Sequence, residues 1–150
     1  MPLFRGSVAH LRSKIDNGSL VPTLSEQYRH RLGRSAAPTE MRSRERSLDV
    51  LSRDLVEAGL QHVEALVEYQ LPLTSKRADI VLCGNHPRTG APQFVVVELK
   101  QWSRAHLLAD ADDLCVLEGM GTRLHPVEQV RHYCTHLRDF VAALTRLGPN

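Results

Sequence analysis

Apolar positions recur every three or four residues along the first part of the chain, which is the period of helices that bury one face. The pattern predicts three helices, at residues 7–18, 23–33 and 39–58. Ser7 stands where it would cap the first helix, and Thr23 with Glu26 has the spacing of a capping box. A glycine lies at the end of each segment, as is common where helices end.

From Val63 onward the helical period gives way to continuous apolar runs, which are typical of buried strands. We predict three successive strands at residues 63–73, 77–84 and 93–102, and a short fourth strand at residues 113–119. The segment 85–92 contains proline and glycine and predicts the turn between the second and third strands. A stripe of apolar residues predicts a final amphipathic helix at residues 126–147.

The order of these elements predicts an α/β fold of the mixed α+β kind. We expect a central mixed sheet of about four strands, flanked by helices, with two extra helices at the N-terminus. The 150 residues suffice for one domain with its own core. We therefore expect a single domain over residues 1–150, with a helical extension at residues 1–35 and a core at residues 39–146.

Composition narrows the class of protein only slightly. Hydrophobic residues make up 42% and charged residues 24%, as in ordinary soluble domains, and a net charge of +2 neither requires nor excludes a nucleic-acid partner. Cys83, Cys115 and Cys134 form no C-x-x-C pair, which argues against a disulfide framework or a zinc ribbon. Without a signal peptide or a long apolar run, we expect a cytoplasmic protein with no membrane partner.

The third predicted strand ends in an acid and a base. Glu98 and Lys100 are two positions apart, so they lie on one face of an extended chain. If Cys83 pairs with Phe94 beside the turn, the antiparallel register places Asp79 directly opposite Glu98. The sequence therefore predicts two carboxylates and an amine at one edge of the sheet.

Two facing carboxylates repel each other and lose hydration when they are buried, so a cation between them is expected. Carboxylate oxygens completed by water are suited to Mg²⁺ or Mn²⁺. Lys100 offers an alternative, because its ammonium group could form an ion pair with one acid. A register slip of one residue would instead place the acids on opposite faces.

The segments "RADIVL" and "VVVELKQW" together resemble the signature of the PD-(D/E)XK nuclease superfamily, with Ala78 where the motif often has proline. In "QVRHY", Gln129 and Tyr133 have the Q-x-x-x-Y spacing of its RecB-like branch. The resemblance implies a PD-(D/E)XK-like core with Asp79, Glu98, Lys100, Gln129 and Tyr133 as catalytic residues.

The resemblance also implies a role for each residue. Asp79, Glu98 and the backbone carbonyl of Leu99 would hold Mg²⁺ or Mn²⁺. Lys100 would position or activate the attacking water, while Gln129 and Tyr133 would orient the substrate or a metal-bound water.

Longer blocks, among them "VEYQLPLTSKRADIVL" and "HPVEQV", resemble the nuclease-like N-terminal region of bacterial proteins that carry a helicase-like P-loop motor. The chain has no G-x-x-x-x-G-K-[ST] sequence, so we expect any motor on another segment or a separate protein. The superfamily core includes a further strand after the Q-x-x-x-Y helix, so we expect either that the segment 113–119 replaces it or that the chain is a piece of a longer protein.

Several other residues are candidates for the site. Glu45 on the third helix could supply an extra acid, and so could Glu68, which would otherwise be an exposed strand residue. Arg44 could reach a substrate phosphate or extend into solvent. Lys76 and Arg77 could hold a nucleic-acid backbone or be solvated turn residues, and Trp102 could stack on a base or close the end of the sheet.

These observations lead to two hypotheses. The first is a metal-dependent nuclease, a hydrolase of DNA in preference to RNA, that works with a helicase-like motor in antiphage defence or repair. The alternative is a catalytically inactive nuclease-like module that binds nucleic acid or docks a partner.

Overall fold

The computed structural model describes residues 1–33, 35–102, 104–108 and 111–147. Its elements are listed here in chain order: β1 (Phe4–Ser7), α1 (Val8–Asp16), α2 (Leu20–Leu32), α3 (Pro38–Glu57), β2 (Glu64–Gln70), β3 (Arg77–Asn85), β4 (Pro92–Val97), β5 (Ala105–Leu108), β6 (Ala111–Leu117), β7 (Gly121–Leu124) and α4 (Pro126–Leu147). The predicted mixture of helices and strands is confirmed.

The main sheet has four strands in the order β1-β2-β3-β4. Alternate residues of β3 face opposite sides, so Ile80 packs with α1, α2 and α3, whereas Val81 packs with Tyr133 and Leu137 of α4. Each face of the sheet therefore has its own apolar core. This arrangement confirms a sheet of about four strands with flanking helices.

The make-up of the sheet differs from the prediction in two respects. Every strand pairing that the structure describes in this sheet is antiparallel, so the expected mixed sheet is wrong on this point. Its fourth strand is β1, which pairs with β2, whereas the predicted fourth strand forms β6 at the centre of a separate sheet with β5 and β7. The N-terminal segment is thus more than a helical extension. β1, β5 and β7 have four residues each, too few to show an alternating pattern.

The helices begin and end close to the predicted positions, with one exception. Ser7 caps α1 by accepting a hydrogen bond from the backbone N–H of His10, and Gly33 ends α2 in a left-handed conformation at φ 63°. However, α2 begins at Leu20, not at Thr23. The Thr23 hydroxyl donates to the carbonyl of Ser19 instead of capping the helix, and the buried Leu20 extends the apolar face by one turn.

Two of the strands that lead to the candidate site, β2 and β4, are shorter than expected, whereas β3 matches its prediction to within one residue. β2 ends at Gln70 and β4 ends at Val97, so Glu98 and Lys100 lie just beyond the last strand pair. Within the described part of the chain, no helix combines the length and apolar composition needed to cross a membrane.

Candidate functional site

The alternation of side chains between the two faces of the sheet is interrupted in β2 at Glu68. Val67 packs in the core on the α1–α3 side, yet Tyr69 packs on the α4 side, although residues two apart normally share a face. Between them, Glu68 has a φ of 53°, a left-handed conformation that non-glycine residues rarely adopt. Such a conformation costs on the order of 1–3 kcal/mol, so other interactions must maintain it.

The neighbouring strand β3 changes face at the same level. Ile80 packs on the α1–α3 side and Ala78 on the α4 side, with Asp79 between them. The register pairs Val67 with Ile80 and places Glu68 opposite Asp79. The two acids therefore lie side by side at the point where both strands change face.

The predicted register of the β3–β4 hairpin is confirmed. Cys83 pairs with Phe94, and the ladder ends at Ile80 and Val97, one step before Asp79 and Glu98. There the Asp79 carboxylate, through Oδ2, accepts a hydrogen bond of 2.7 Å from the backbone N–H of Leu99. This side-chain bond replaces the next strand pair, so the chain carrying Glu98 leaves the sheet beside Asp79.

Glu98 is the centre of a hydrogen-bonded group at this edge. Its Oε1 accepts bonds from Lys100 Nζ at 2.5 Å and from Gln129 Nε2 at 2.6 Å. Gln129 Nε2 also lies 2.9 Å from the hydroxyl oxygen of Tyr133, and Lys100 Nζ donates to Gln129 Oε1 over 3.2 Å. The structure thus brings together the five residues expected as the catalytic set.

The other carboxylate oxygen of Glu98, Oε2, is buried and receives no hydrogen bond from a donor among the described residues, while the Asp79 carboxyl lies close enough to Glu98 for a hydrogen bond when one of the two acids is protonated. The Glu98 side chain is only 4% exposed. Leaving a buried acceptor unsatisfied costs about 1–3 kcal/mol, and more when the group is charged. An oxygen in this state is suited to a cation or a bound water.

The environment shifts the protonation equilibria of this group. Burial raises the pKa of Glu98, the nearby charge of Asp79 adds to that rise, and the bond from Lys100 opposes it. Burial also raises the pKa of the Tyr133 hydroxyl, with further contributions from the charges of Glu98 and Asp79. A cation close to these carboxylates would stabilise their charged forms.

The carboxylate of Glu68 is held by Arg44, which lies on α3. The residue is 3% exposed, so the alternative of an exposed strand residue is wrong. Burial raises its pKa to about 7, assisted by the charge of Asp79 and opposed by Arg44. Arg44 Nε lies 2.8 Å from Glu68 Oε1, and its guanidinium also bonds Glu40 at 3.1 Å. Arg44 thus binds the carboxylates of Glu40 and Glu68, so the alternative that it extends into solvent is wrong. Its contact with nucleic acid stays a prediction.

The remaining candidate residues lie on α3, before and at the start of β3, and after β4. Glu45 is partly exposed on α3, and Lys76 is exposed in the turn before β3. Arg77 donates to the Glu68 carbonyl and to Gln70 Oε1, both at 3.3 Å. Trp102 is half-buried, with Lys100 Nζ 5.7 Å from its ring centroid. The proposed roles of these residues stay predictions.

Gln101 is a site residue that sequence reasoning missed. Its Nε2 donates to the Ser43 carbonyl at 2.5 Å and to the Ser47 hydroxyl at 2.9 Å, and Ser43 Oγ donates to its Oε1 at 2.6 Å. These bonds fasten the segment after Glu98 to α3. The available signal was the pair of serines four positions apart, which share one face of the helix.

Two cavities flank this segment. One of about 140 Å³ is polar and is lined by Glu40, Ser43, Arg44, Ser47, Asp79, Leu99 and Gln101. A larger one of about 450 Å³ is lined by Arg46, Ser47, Val50, Leu51, Asp54, Leu99, Lys100 and Gln101. The second provides room for a substrate beside the amine of Lys100.

The oxygen atoms of the site determine whether Mg²⁺ or Mn²⁺ could bind there. In the ranges that the structure describes, no three His, Cys, Asp or Glu side chains are grouped as a metal site. Mg²⁺ needs fewer protein ligands, because it keeps several waters and is often bound through one or two carboxylates. Asp79 and the unpartnered Oε2 of Glu98 fit that requirement, and the Leu99 carbonyl as a third ligand stays a prediction.

Comparison of the chain with protein families, with curated proteins and with solved structures finds no match. The resemblance to PD-(D/E)XK nucleases therefore stays a prediction that rests on the residues themselves.

Proposed function

We propose that this protein is a metal-dependent nuclease of the PD-(D/E)XK type, which hydrolyses phosphodiester bonds of DNA in preference to RNA. The observation that carries the proposal is the buried, unpartnered Oε2 of Glu98, in a group that also contains Asp79 and Lys100. A partnership with a helicase-like motor rests on the sequence resemblance alone.

In this proposal Asp79, Glu98 and the backbone carbonyl of Leu99 hold Mg²⁺ or Mn²⁺. When bound, the metal supplies Lewis-acid polarisation of a phosphoryl oxygen and neutralises charge that develops in the transition state. The bond from Leu99 N–H to Asp79 keeps the Leu99 peptide beside the Asp79 carboxylate, directly after Glu98 in the chain. The protein thus orients its oxygen ligands through backbone contacts.

Lys100 positions the attacking water. Its ammonium group has three N–H donors, of which two are directed to Glu98 Oε1 and Gln129 Oε1. The third is left for a water or a phosphate oxygen. Gln129 fixes the orientation of Glu98 and is itself held by Tyr133, so α4 aligns the group from the opposite side of the sheet.

The inactive nucleic-acid-binding or docking module is kept as a second candidate, because one observation favours it. The 2.5 Å ion pair between Lys100 and Glu98 neutralises one carboxylate without a metal. In that case Glu98 and Lys100 would serve to hold the end of β4 together with α4.

Metal binding and cleavage distinguish the two candidates. Titration calorimetry with MnCl₂ should show weak binding to the parent protein and none to Asp79→Asn or Glu98→Gln. Labelled single-stranded and duplex DNA and RNA should be cut by the parent only with Mg²⁺ or Mn²⁺, and not by the two variants.

Glu57→Gln, an exposed change at the end of α3, is the matched control and should behave as the parent. Circular dichroism should show that all variants are folded. A folded parent that neither binds metal nor cuts any substrate would favour the binding module.

A further inference from the structure

A third cavity opens where the second sheet meets the start of α4. It has a volume of about 230 Å³ and is lined by Trp102, Ala105, His106, Leu107, Cys115, His125 and Pro126. Most of these side chains are apolar, and Trp102 provides the largest flat surface among them. A pocket with one aromatic wall, apolar sides and a few polar groups is suited to a flat heterocyclic ligand.

This cavity adjoins the candidate site through Lys100. The ammonium nitrogen lies 2.5 Å from Glu98 Oε1 and 5.7 Å from the centroid of the Trp102 ring. One amine thus contacts the carboxylate of the proposed reaction centre and the aromatic wall of the pocket. A nucleotide has the same two-part form, with an anionic phosphate joined through its sugar to a flat base.

We propose that this cavity, here called the base pocket, receives an unpaired nucleobase that stacks on Trp102 while the adjoining phosphate lies at Lys100. The inference rests on the proposed function and adds a substrate class to it, namely single-stranded or frayed nucleic acid. A paired base is stacked within its duplex and would have to be extruded before it could enter such a pocket. Stacking on an aromatic ring tolerates every base, so the pocket serves a nuclease without strong sequence preference.

His125 adds a polar edge to the base pocket. Its Nδ1 accepts a bond of 3.2 Å from the backbone N–H of Val127, so in the neutral ring the hydrogen is on Nε2. This leaves Nε2–H as a donor on a residue that lines the pocket. A donor there suits the carbonyl oxygens of thymine, which makes oligothymidylate the appropriate probe.

The chain contains one tryptophan, so its emission reports on the base pocket directly. With EDTA present to prevent cleavage, a short oligothymidylate should quench the emission of Trp102. An oligonucleotide of the same length that lacks its bases should not quench it and should bind about 5- to 150-fold more weakly, the loss expected for one stacked base. A blunt duplex should quench much less than the single strand.

Variants test the same contact by fluorescence anisotropy of labelled oligothymidylate. Trp102→Ala should weaken binding within that range, whereas Trp102→Phe should retain most of the affinity because a ring remains. Met120→Ala, at the exposed turn between β6 and β7, is the control and should bind as the parent. If Trp102→Ala is unfolded, the comparison of normal and abasic oligonucleotides on the parent protein still tests the base pocket.

The outcomes separate this inference from the proposed function. The base pocket would be contradicted if normal and abasic strands bound equally and neither quenched the emission of Trp102. Metal-dependent cleavage in the same protein would still support the proposed nuclease. Quenching and base-dependent affinity in a protein that cuts nothing would support the pocket and favour the inactive module.

Discussion

The carboxylate of Asp79 accepts a 2.7 Å hydrogen bond from the backbone N–H of Leu99, at the level where β3 and β4 stop pairing. One side chain thus has two structural roles. It ends the ladder, and it lies beside Glu98, so both acids occupy the same edge of the sheet.

Replacement of Asp79 should show how much its hydrogen bond to Leu99 stabilises the fold. Asp79→Ala leaves the Leu99 N–H without its charged acceptor, which should lower the free energy of unfolding by about 1.5–3 kcal/mol. Asp79→Asn keeps an acceptor oxygen and should lose less. Urea unfolding measures both, with the exposed Asp139→Asn as control. Equal stability of parent, Asp79→Ala and Asp79→Asn would show that the bond does not hold the segment.

Removal of the Lys100 ammonium should have opposite effects on metal binding and on cleavage. Lys100→Met frees Glu98 Oε1 from its ion pair and removes a positive charge near the ligands, so we expect Mn²⁺ to bind about tenfold more tightly. Cleavage should fall about 10²- to 10⁴-fold, because nothing then positions the attacking water. Calorimetry and a cleavage assay test the two effects. Unchanged affinity for Mn²⁺ would show that the ion pair does not compete with the metal.

The buried Glu68 should make the folded protein less stable as the pH rises. Its pKa is raised from 4.5 to about 7, so the folded state binds the proton more tightly than the unfolded chain does. The free energy of unfolding should therefore fall between these two pH values, by at most about 3 kcal/mol, and level off above pH 7.

Glu68→Gln should lack this fall, because its side chain does not titrate. The quantity to measure is the difference in unfolding free energy between parent and Glu68→Gln at each pH, since the other carboxylates cancel in it. Glu57→Gln should follow the parent curve throughout. A difference that does not change with pH would show that Glu68 titrates normally.

Gln129 and Tyr133 should contribute to cleavage through one shared interaction, the bond between the Gln129 amide and the Tyr133 hydroxyl. Tyr133→Phe removes the hydroxyl that holds the Gln129 amide, so cleavage should fall about tenfold while metal affinity is kept. The double variant with Gln129→Ala should lose little more than Gln129→Ala alone, because the hydroxyl acts through the amide. Additive losses in this cycle would indicate that Tyr133 contacts the substrate independently.

The parts of the fold with long, periodic signals were predictable. The register of Cys83 with Phe94 followed from a short turn between two apolar runs, and α4 followed from its apolar stripe. β1 was missed because only Phe4 of its four residues is buried, and its pairing with β2 depends on residues distant in sequence. Tertiary contacts, not local pattern, determine such a strand.

The acids and the amine of the candidate site were predictable, whereas Gln101 and the local backbone geometry were not. Asp79, Glu98 and Lys100 were expected from their spacing, and the structure brings them together. The left-handed backbone of Glu68 could not be expected, because no glycine or asparagine marks the position. The unpartnered Oε2 of Glu98 depends on the tertiary packing that buries it, which no local pattern shows.

The pairing of Phe4 with Val67 has a consequence for the order of assembly. β2, β3 and β4 are neighbours along the chain and can form their hairpins by closing short loops, whereas β1 closes a loop that contains three helices. We expect the meander to form early and β1 to dock late. The nascent sheet then exposes an open edge at β2 until β1 covers it, and that edge is where self-association during synthesis would start.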